Sequence, residues 1–166
     1  MVAQPELQNK DLVLWVQLLA EVLNREALAE LAQAHPDVRY AHGFLFQQLV
    51  EGPRAVGEIA ANLGVTSQAI SKMVRELEAV GYVERLVSGE DARVRLVGLT
   101  ARGSDAVQVS RDVRSRVNAE LAEALGSERV ESAGKTLRDA LQARGAMPEV
   151  RARRVRSAQG LKDSGR

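Results

Sequence analysis

The chain of 166 residues lacks cysteine altogether and has only two histidines, His35 and His42. Without cysteine there can be no disulfide framework, no thiolate metal site and no cysteine redox switch. A zinc site would need further ligands beside the two histidines, so we expect neither a metal nor another cofactor. Aromatic residues make up only 3% of the chain, so its core must be built mainly from Ala, Val and Leu.

Long apolar runs and a strong net charge are also missing. No run approaches the roughly 20 residues of a membrane span, and the first residues do not resemble a signal peptide, so we expect a cytoplasmic protein. The net charge of +1 combines +4 in residues 147–166 (six basic and two acidic groups) with −3 in the residues before them. Overall charge therefore gives no sign of nucleic-acid binding, and any DNA contact must come from local basic positions.

Signs of catalysis are missing as well. No nucleophile, base and orienting group stand out together, and no Gly-rich phosphate loop is present. We therefore expect no enzymatic activity.

The apolar pattern predicts a mainly helical chain with one β-hairpin. The expected helices cover approximately residues 10–34, 38–50, 56–63, 67–80, 101–125 and 127–143. The first helix has a wide apolar stripe, which is typical of burial on more than one side. Gly64 is expected to end the third helix and Thr66 to cap the fourth. Val-rich and Leu-rich segments at 82–88 and 93–100 predict the hairpin, whose second strand Gly98 should weaken.

This order of elements is that of a winged helix-turn-helix with additional helices at both ends. In the fourth helix an apolar stripe is expected to face the core, and five polar side chains fall on the opposite side: Ser67, Gln68, Ser71, Lys72 and Arg75. The N-terminal part of such a helix is the part that enters a DNA major groove. Gln can pair with adenine and Lys or Arg with guanine. A solvated outer face is the alternative interpretation.

Two residues at the predicted hairpin tip favour the interpretation that the protein binds DNA. Asp91 and Arg93 are two residues apart, so they can project from one side of a strand and form an ion pair. An Arg that a carboxylate orients suits a narrow minor groove, and Arg95 is a candidate for a phosphate contact. The alternative is an ordinary surface salt bridge.

Residues from about Gly57 to Gly103 resemble the MarR family of bacterial winged-helix transcription regulators. The resemblance rests on "EIAANLGVTSQAISKMVRELEAVGYVER" (residues 58–85), on Asp91 and Arg93, and on "LTARG" (residues 99–103). It implies an obligate homodimer, a pseudo-palindromic double-stranded DNA operator, and often release by a small ligand. The sequence departs from the family at Val94, where a basic or polar residue often follows the wing Arg.

From these observations we expect dimerisation helices at 1–35 and 101–145, a winged helix-turn-helix DNA-binding domain at 36–100, and a basic, mobile tail at 146–166. A small effector could bind between the dimerisation helices and the winged domain, lined by Trp15, Tyr40, His42 and Phe46. These four side chains could equally be core and interface residues. The expected function is that of a DNA-binding transcription regulator, most simply a repressor. The alternative is a winged-helix protein–protein interaction module without specific DNA binding.

Overall fold

The computed structural model describes residues 11–87 and 95–146. In this part of the chain six helices and three short strands follow one another. They are α1 (Leu12–Ala34), α2 (Tyr40–Leu49), β1 (Arg54–Ala55), α3 (Val56–Leu63), α4 (Ser67–Ala79), β2 (Val83–Val87), β3 (Arg95–Leu99), α5 (Ala101–Leu125) and α6 (Ser127–Ala143). The predicted class, mainly α with a small winged hairpin, is confirmed.

The predicted helix boundaries agree with the structure to within two residues. The largest differences, of two residues each, are at the starts of two helices: α1 begins at Leu12 and not at Lys10, and α2 begins at Tyr40 and not at Val38. The backbone N–H of Val38 donates to the carbonyl of His35 over 3.0 Å, which closes a turn after α1, and Arg39 is extended. The second helix can therefore begin only after Arg39.

The hairpin strands pair antiparallel, with Val83 opposite Leu99 and Val87 opposite Arg95. A third strand, β1, was not predicted, and it pairs with β3 to give the order β1-β3-β2. Gly98 lies inside β3, opposite Glu84 of β2, and the weakening of this strand stays a prediction. A Cβ at this position would lie 3.1 Å from Cδ1 of Leu86 and 3.4 Å from Cγ of Pro53. Gly98 therefore lets the β1 edge pack closely against the hairpin.

The core lies within the winged helix-turn-helix, where α2, α3, α4 and the sheet meet. It is mainly aliphatic, as expected, but Tyr82 is fully buried and Phe46 nearly so. Phe46 and Tyr82 contact one another with ring centroids 5.9 Å apart. These two aromatic side chains therefore supply bulk at the centre of a core whose other apolar members are Leu, Ile, Val and Ala.

In the single chain, helix α1 is less buried than its wide apolar stripe predicts. Only Leu31 of α1 is buried, and its N-terminal half exposes large apolar side chains: Leu12, Val13, Trp15, Val16, Leu18, Leu19 and Val22. Helix α6 has no buried residue, and Leu137 and Leu141 are 40% exposed. Within residues 11–87 and 95–146 the apolar stripes of the terminal helices are therefore largely uncovered.

Candidate nucleic-acid interface

The turn between α3 and α4 sets the direction in which α4 leaves the core. Gly64 adopts the left-handed conformation (φ +69°, ψ 32°), which an L side chain adopts only at a cost. The next backbone N–H, that of Val65, returns to the carbonyl of Ala60 over 3.1 Å. Thr66 then caps α4, because its Oγ1 accepts from the N–H of Ala69 over 3.2 Å. Both sequence predictions for this turn are confirmed.

The inner face of α4 fixes the rotation of the helix about its own axis. Ile70, Val74 and Leu77 are each no more than 1% exposed, and Met73 packs against the same core while remaining partly exposed. Turning the helix would bring these side chains into water, at roughly 1.5–3 kcal/mol for each large one. Burial of the inner face therefore also determines which residues of α4 face outward.

The outward face carries the five predicted polar side chains. Ser67, Gln68, Lys72 and Arg75 are exposed, and Ser71 is partly buried. The Nζ of Lys72 lies 4.0 Å from a carboxylate oxygen of Glu76, an exposed pair that is worth little in water. Hydroxyl, amide and cationic groups therefore share one accessible face, and these groups can hydrogen-bond to base edges and phosphates.

The C-terminal end of α4 is joined to the start of α5 by the side chain of Thr100. Its hydroxyl donates to the carbonyl of Gly81 over 2.6 Å and accepts from the N–H of Gly103 over 3.1 Å. Its backbone N–H donates to the carbonyl of Tyr82 over 3.1 Å. The predicted capping role of Thr100 is confirmed. These hydrogen bonds connect the end of α4 to the start of α5, so the two helices are held together at this point.

The hairpin places Arg95 beside its tip. Arg95 is exposed at the first residue of β3, opposite the exposed Val87. Asp91 and Arg93 lie outside the described residues, so their ion pair stays a prediction. The basic tail beyond residue 146 also lies outside the described residues.

A cavity of about 920 Å³ lies among α1, α2, α5 and α6. Of the four predicted lining residues, Tyr40 and Phe46 contribute to its wall. Trp15 does not line it and is 42% exposed on α1. His42 also lies elsewhere: it is buried in the first turn of α2, where its Nδ1 accepts from the backbone N–H of Arg39 over 3.1 Å. Burial, with the nearby Arg39 charge, lowers the pKa of His42, which keeps the imidazole neutral for this role.

The cavity wall also has an aliphatic part that the sequence prediction, which was based on aromatic residues, did not include. Helix α5 contributes Val107, Val113, Val117 and Leu121, and α1 contributes Leu23, Leu28 and Leu31. The valines that recur every four residues along α5 were the available signal, but the pattern does not tell a cavity wall from a packed interface.

Two further observations concern other kinds of site. In residues 11–87 and 95–146, no group of three His, Asp or Glu side chains is placed to hold a metal ion. Over the same ranges no helix is long and apolar enough to cross a membrane.

Comparison with known proteins places this geometry among winged-helix proteins. A model of the MarR family matches residues 41–94. A crystal structure of RV1404 from Mycobacterium tuberculosis is similar, with 24% identity over 81% of this chain and 89% of that one and a TM-score of 0.67. The transcriptional repressor CouR bound to a 23-mer DNA duplex shares 20% identity over 84% of this chain and 99% of its own (TM-score 0.64). The S. aureus MepR–DNA complex shares 22% over 76% and 95% (TM-score 0.64). No curated protein sequence matches the chain.

Proposed function

Because the chain belongs to the MarR family by its winged helix-turn-helix, we propose that it is a sequence-specific, DNA-binding transcription regulator. It acts as a cytoplasmic homodimer on a pseudo-palindromic operator, most simply as a repressor. The observation that carries this proposal is α4, whose polar face is mostly exposed while Ile70, Val74 and Leu77 on its apolar face are buried. Two solved structures of the same fold are complexes with DNA, which supports the same assignment.

In the proposed complex each protein group has a defined task. The N-terminal half of α4 enters the major groove, where Gln68 and Arg75 read base edges. Lys72 contacts a phosphate, because its compact charge favours position over pattern. The wing follows the adjacent backbone, with Arg93 in the minor groove and Arg95 on a phosphate. Ser67 and Ser71 supply hydroxyl contacts at the entry of the helix.

The homodimer is supported by the uncovered apolar stripes of the terminal helices. Leu12, Trp15 and Leu19 are between 42% and 56% exposed in the single chain, and Leu125 is 47% exposed. Soluble monomers rarely leave contiguous apolar surfaces of this kind in water. Packing α1, α5 and α6 of two copies about a two-fold axis covers them and presents two α4 helices to two half-sites.

The cavity is the proposed site of a small effector that releases the operator. Its volume falls within the roughly 300–1,000 Å³ of small-molecule sites, and its wall is mainly aliphatic and aromatic. Because it lies among helices of the proposed dimer and α2 of the winged domain, a ligand bound there can favour one arrangement of the two over another.

The proposal is tested by whether the purified protein selects a DNA sequence. Double-stranded DNA is enriched from a randomised library by the full-length protein, and binding of the winning duplex is compared with that of a scrambled duplex at rising salt. We expect the enriched duplex to have a two-fold-symmetric sequence and to bind at least ~10³-fold more tightly than scrambled DNA. Equal affinity for both, or no binding at all, would favour the winged-helix interaction module instead.

A further inference from the structure

Arg102, in the first turn of α5, contacts two other segments of the chain, the turn after α4 and the turn after α1. Its guanidinium carbon lies 4.3 Å from the centroid of the Tyr82 ring. One terminal nitrogen donates to the carbonyl of Val80, the C-cap residue that follows α4. The other donates to Oδ2 of Asp37 over 3.1 Å. Because Asp37 lies in the turn after α1, this side chain joins the end of the first helix to the end of the proposed recognition helix.

Tyr82, the buried residue beneath the Arg102 guanidinium, also links the end of α1 to the end of α4. The Tyr82 hydroxyl lies 3.3 Å from Nδ1 of His35, and the two rings meet edge to face. His35 itself ends α1, since its N–H donates to the carbonyl of Leu31 over 2.8 Å. Its Nε2 lies 3.1 Å from Oδ2 of Asp105 but is not aligned for a hydrogen bond. The ends of α1 and α4 and the start of α5 therefore meet at one point.

The exposure of Arg102 argues against a role in the core. The side chains of Arg102 and Asp37 are 44% and 43% exposed, and ion pairs between such groups contribute little to global stability. The planar guanidinium is nevertheless demanding in direction, because it stacks on a ring and donates along fixed lines to two oxygens. Such a group is better suited to fixing an angle between elements than to holding the fold together.

We propose that Arg102 is a positioning residue for operator binding, an inference that rests on the proposed function. It fixes the angle between α4 and the helices α1 and α5 of the dimer. In a two-fold dimer any change in this angle moves both recognition helices, so it alters the distance between them. DNA half-sites lie about 34 Å apart per helical turn, so Arg102 sets which half-site spacing the dimer accepts.

The test compares half-site spacings, using the full-length protein and the duplex that the parent protein enriches from a randomised library. Variants of this duplex have base pairs inserted or removed between the half-sites, and one retains a single half-site. Arg102→Ala should lose roughly tenfold on the native spacing, flatten the preference among spacings, and bind the single half-site as the parent does. Arg111→Ala, which removes an exposed arginine of the same helix, should behave as the parent throughout.

A direct phosphate contact is the competing explanation, and two measurements separate it. Arg102→Lys keeps the charge but not the planar geometry, so positioning predicts that it resembles Arg102→Ala. A phosphate contact predicts rescue by Lys and a fall of about one in the slope of log affinity against log salt for Arg102→Ala. Should Arg102→Ala fold poorly, Asp37→Ala removes the acceptor at the α1 end while leaving Arg102 in place, and it should flatten the spacing preference in the same direction.

Several outcomes would overturn the inference. Equal losses on the single half-site and on every spacing, rescue by Lys, or parental behaviour of Arg102→Ala would each show that Arg102 does not position α4. If the parent protein itself selects no sequence, the proposed function fails first, and this inference fails with it.

Discussion

Replacing Gly103 with Ala probes the junction that presents the proposed recognition helix. A Cβ on Gly103 would lie 2.1 Å from the carbonyl oxygen of Tyr82 and 3.1 Å from Cδ2 of Leu99. Carbon and carbonyl oxygen normally approach to roughly 3.3 Å, so α5 must withdraw by about 1 Å from the turn after α4. That shift also strains the hydrogen bonds from Thr100 to Gly81 and Tyr82.

The size of the effect follows from these contacts. Overpacking costs up to about 3 kcal/mol, and weakened hydrogen bonds about 1 kcal/mol more. The better helix propensity of Ala returns about 1 kcal/mol. We therefore expect Gly103→Ala to lower the free energy of unfolding by about 3 kcal/mol and to weaken operator binding at temperatures where the fold survives.

The matched control is Gly134→Ala in α6, where a Cβ would meet no atom within 4 Å. This substitution should raise the free energy of unfolding by about 0.5–1 kcal/mol, because Ala loses less backbone entropy than Gly on folding. Both variants and the parent are unfolded in urea at one fixed protomer concentration and followed by circular dichroism, since dimer stability depends on concentration. If the two substitutions have the same sign, the close approach of α5 to Tyr82 is not a constraint on this protein.

Three further predictions concern assembly, pH and capping. Leu19→Asp should give a monomer in sedimentation at micromolar concentration, whereas Gln17→Asp on the same helix should remain dimeric; a dimeric Leu19→Asp would exclude this face from the interface. Because the pKa of His42 is lowered from 6.5, its contribution to stability is present above that pH and is lost as pH falls through the folded-state pKa. His42→Gln should flatten this loss in urea titrations at different pH, and an unchanged slope would assign the dependence to other groups. Thr66→Ala should cost about 1 kcal/mol of unfolding free energy through loss of the α4 cap, and a neutral result would mean that water satisfies the freed N–H of Ala69.

Local chemistry made most of the winged helix-turn-helix predictable. Gly64 after α3, Thr66 before α4 and Thr100 before α5 act on their immediate neighbours, so their roles follow from residue type and spacing. The polar face of α4 was predictable for the same reason, because helical spacing alone separates it from the buried stripe.

The features that could not be predicted depend on residues far apart in the chain. Strand β1 has only two residues, and it exists because β3 pairs with it. The contact between Arg102 and Asp37 spans 65 residues, and nothing in the segment "LTARG" indicates its direction. The cavity wall was misjudged because aliphatic side chains of α1 and α5 look the same in sequence whether they line a cavity or fill a core.

The interface assignment is tested most directly by the discrimination ratio of α4 variants. Affinities of the parent, Gln68→Ala and Arg75→Ala are measured for the selected operator and for a scrambled duplex at one salt concentration. Each substitution should cost ~1–3 kcal/mol, or roughly 5- to 150-fold, on the operator and much less on scrambled DNA, because base contacts carry sequence discrimination. Equal losses on both duplexes, or no loss on either, would contradict the claim that the exposed face of α4 reads DNA sequence.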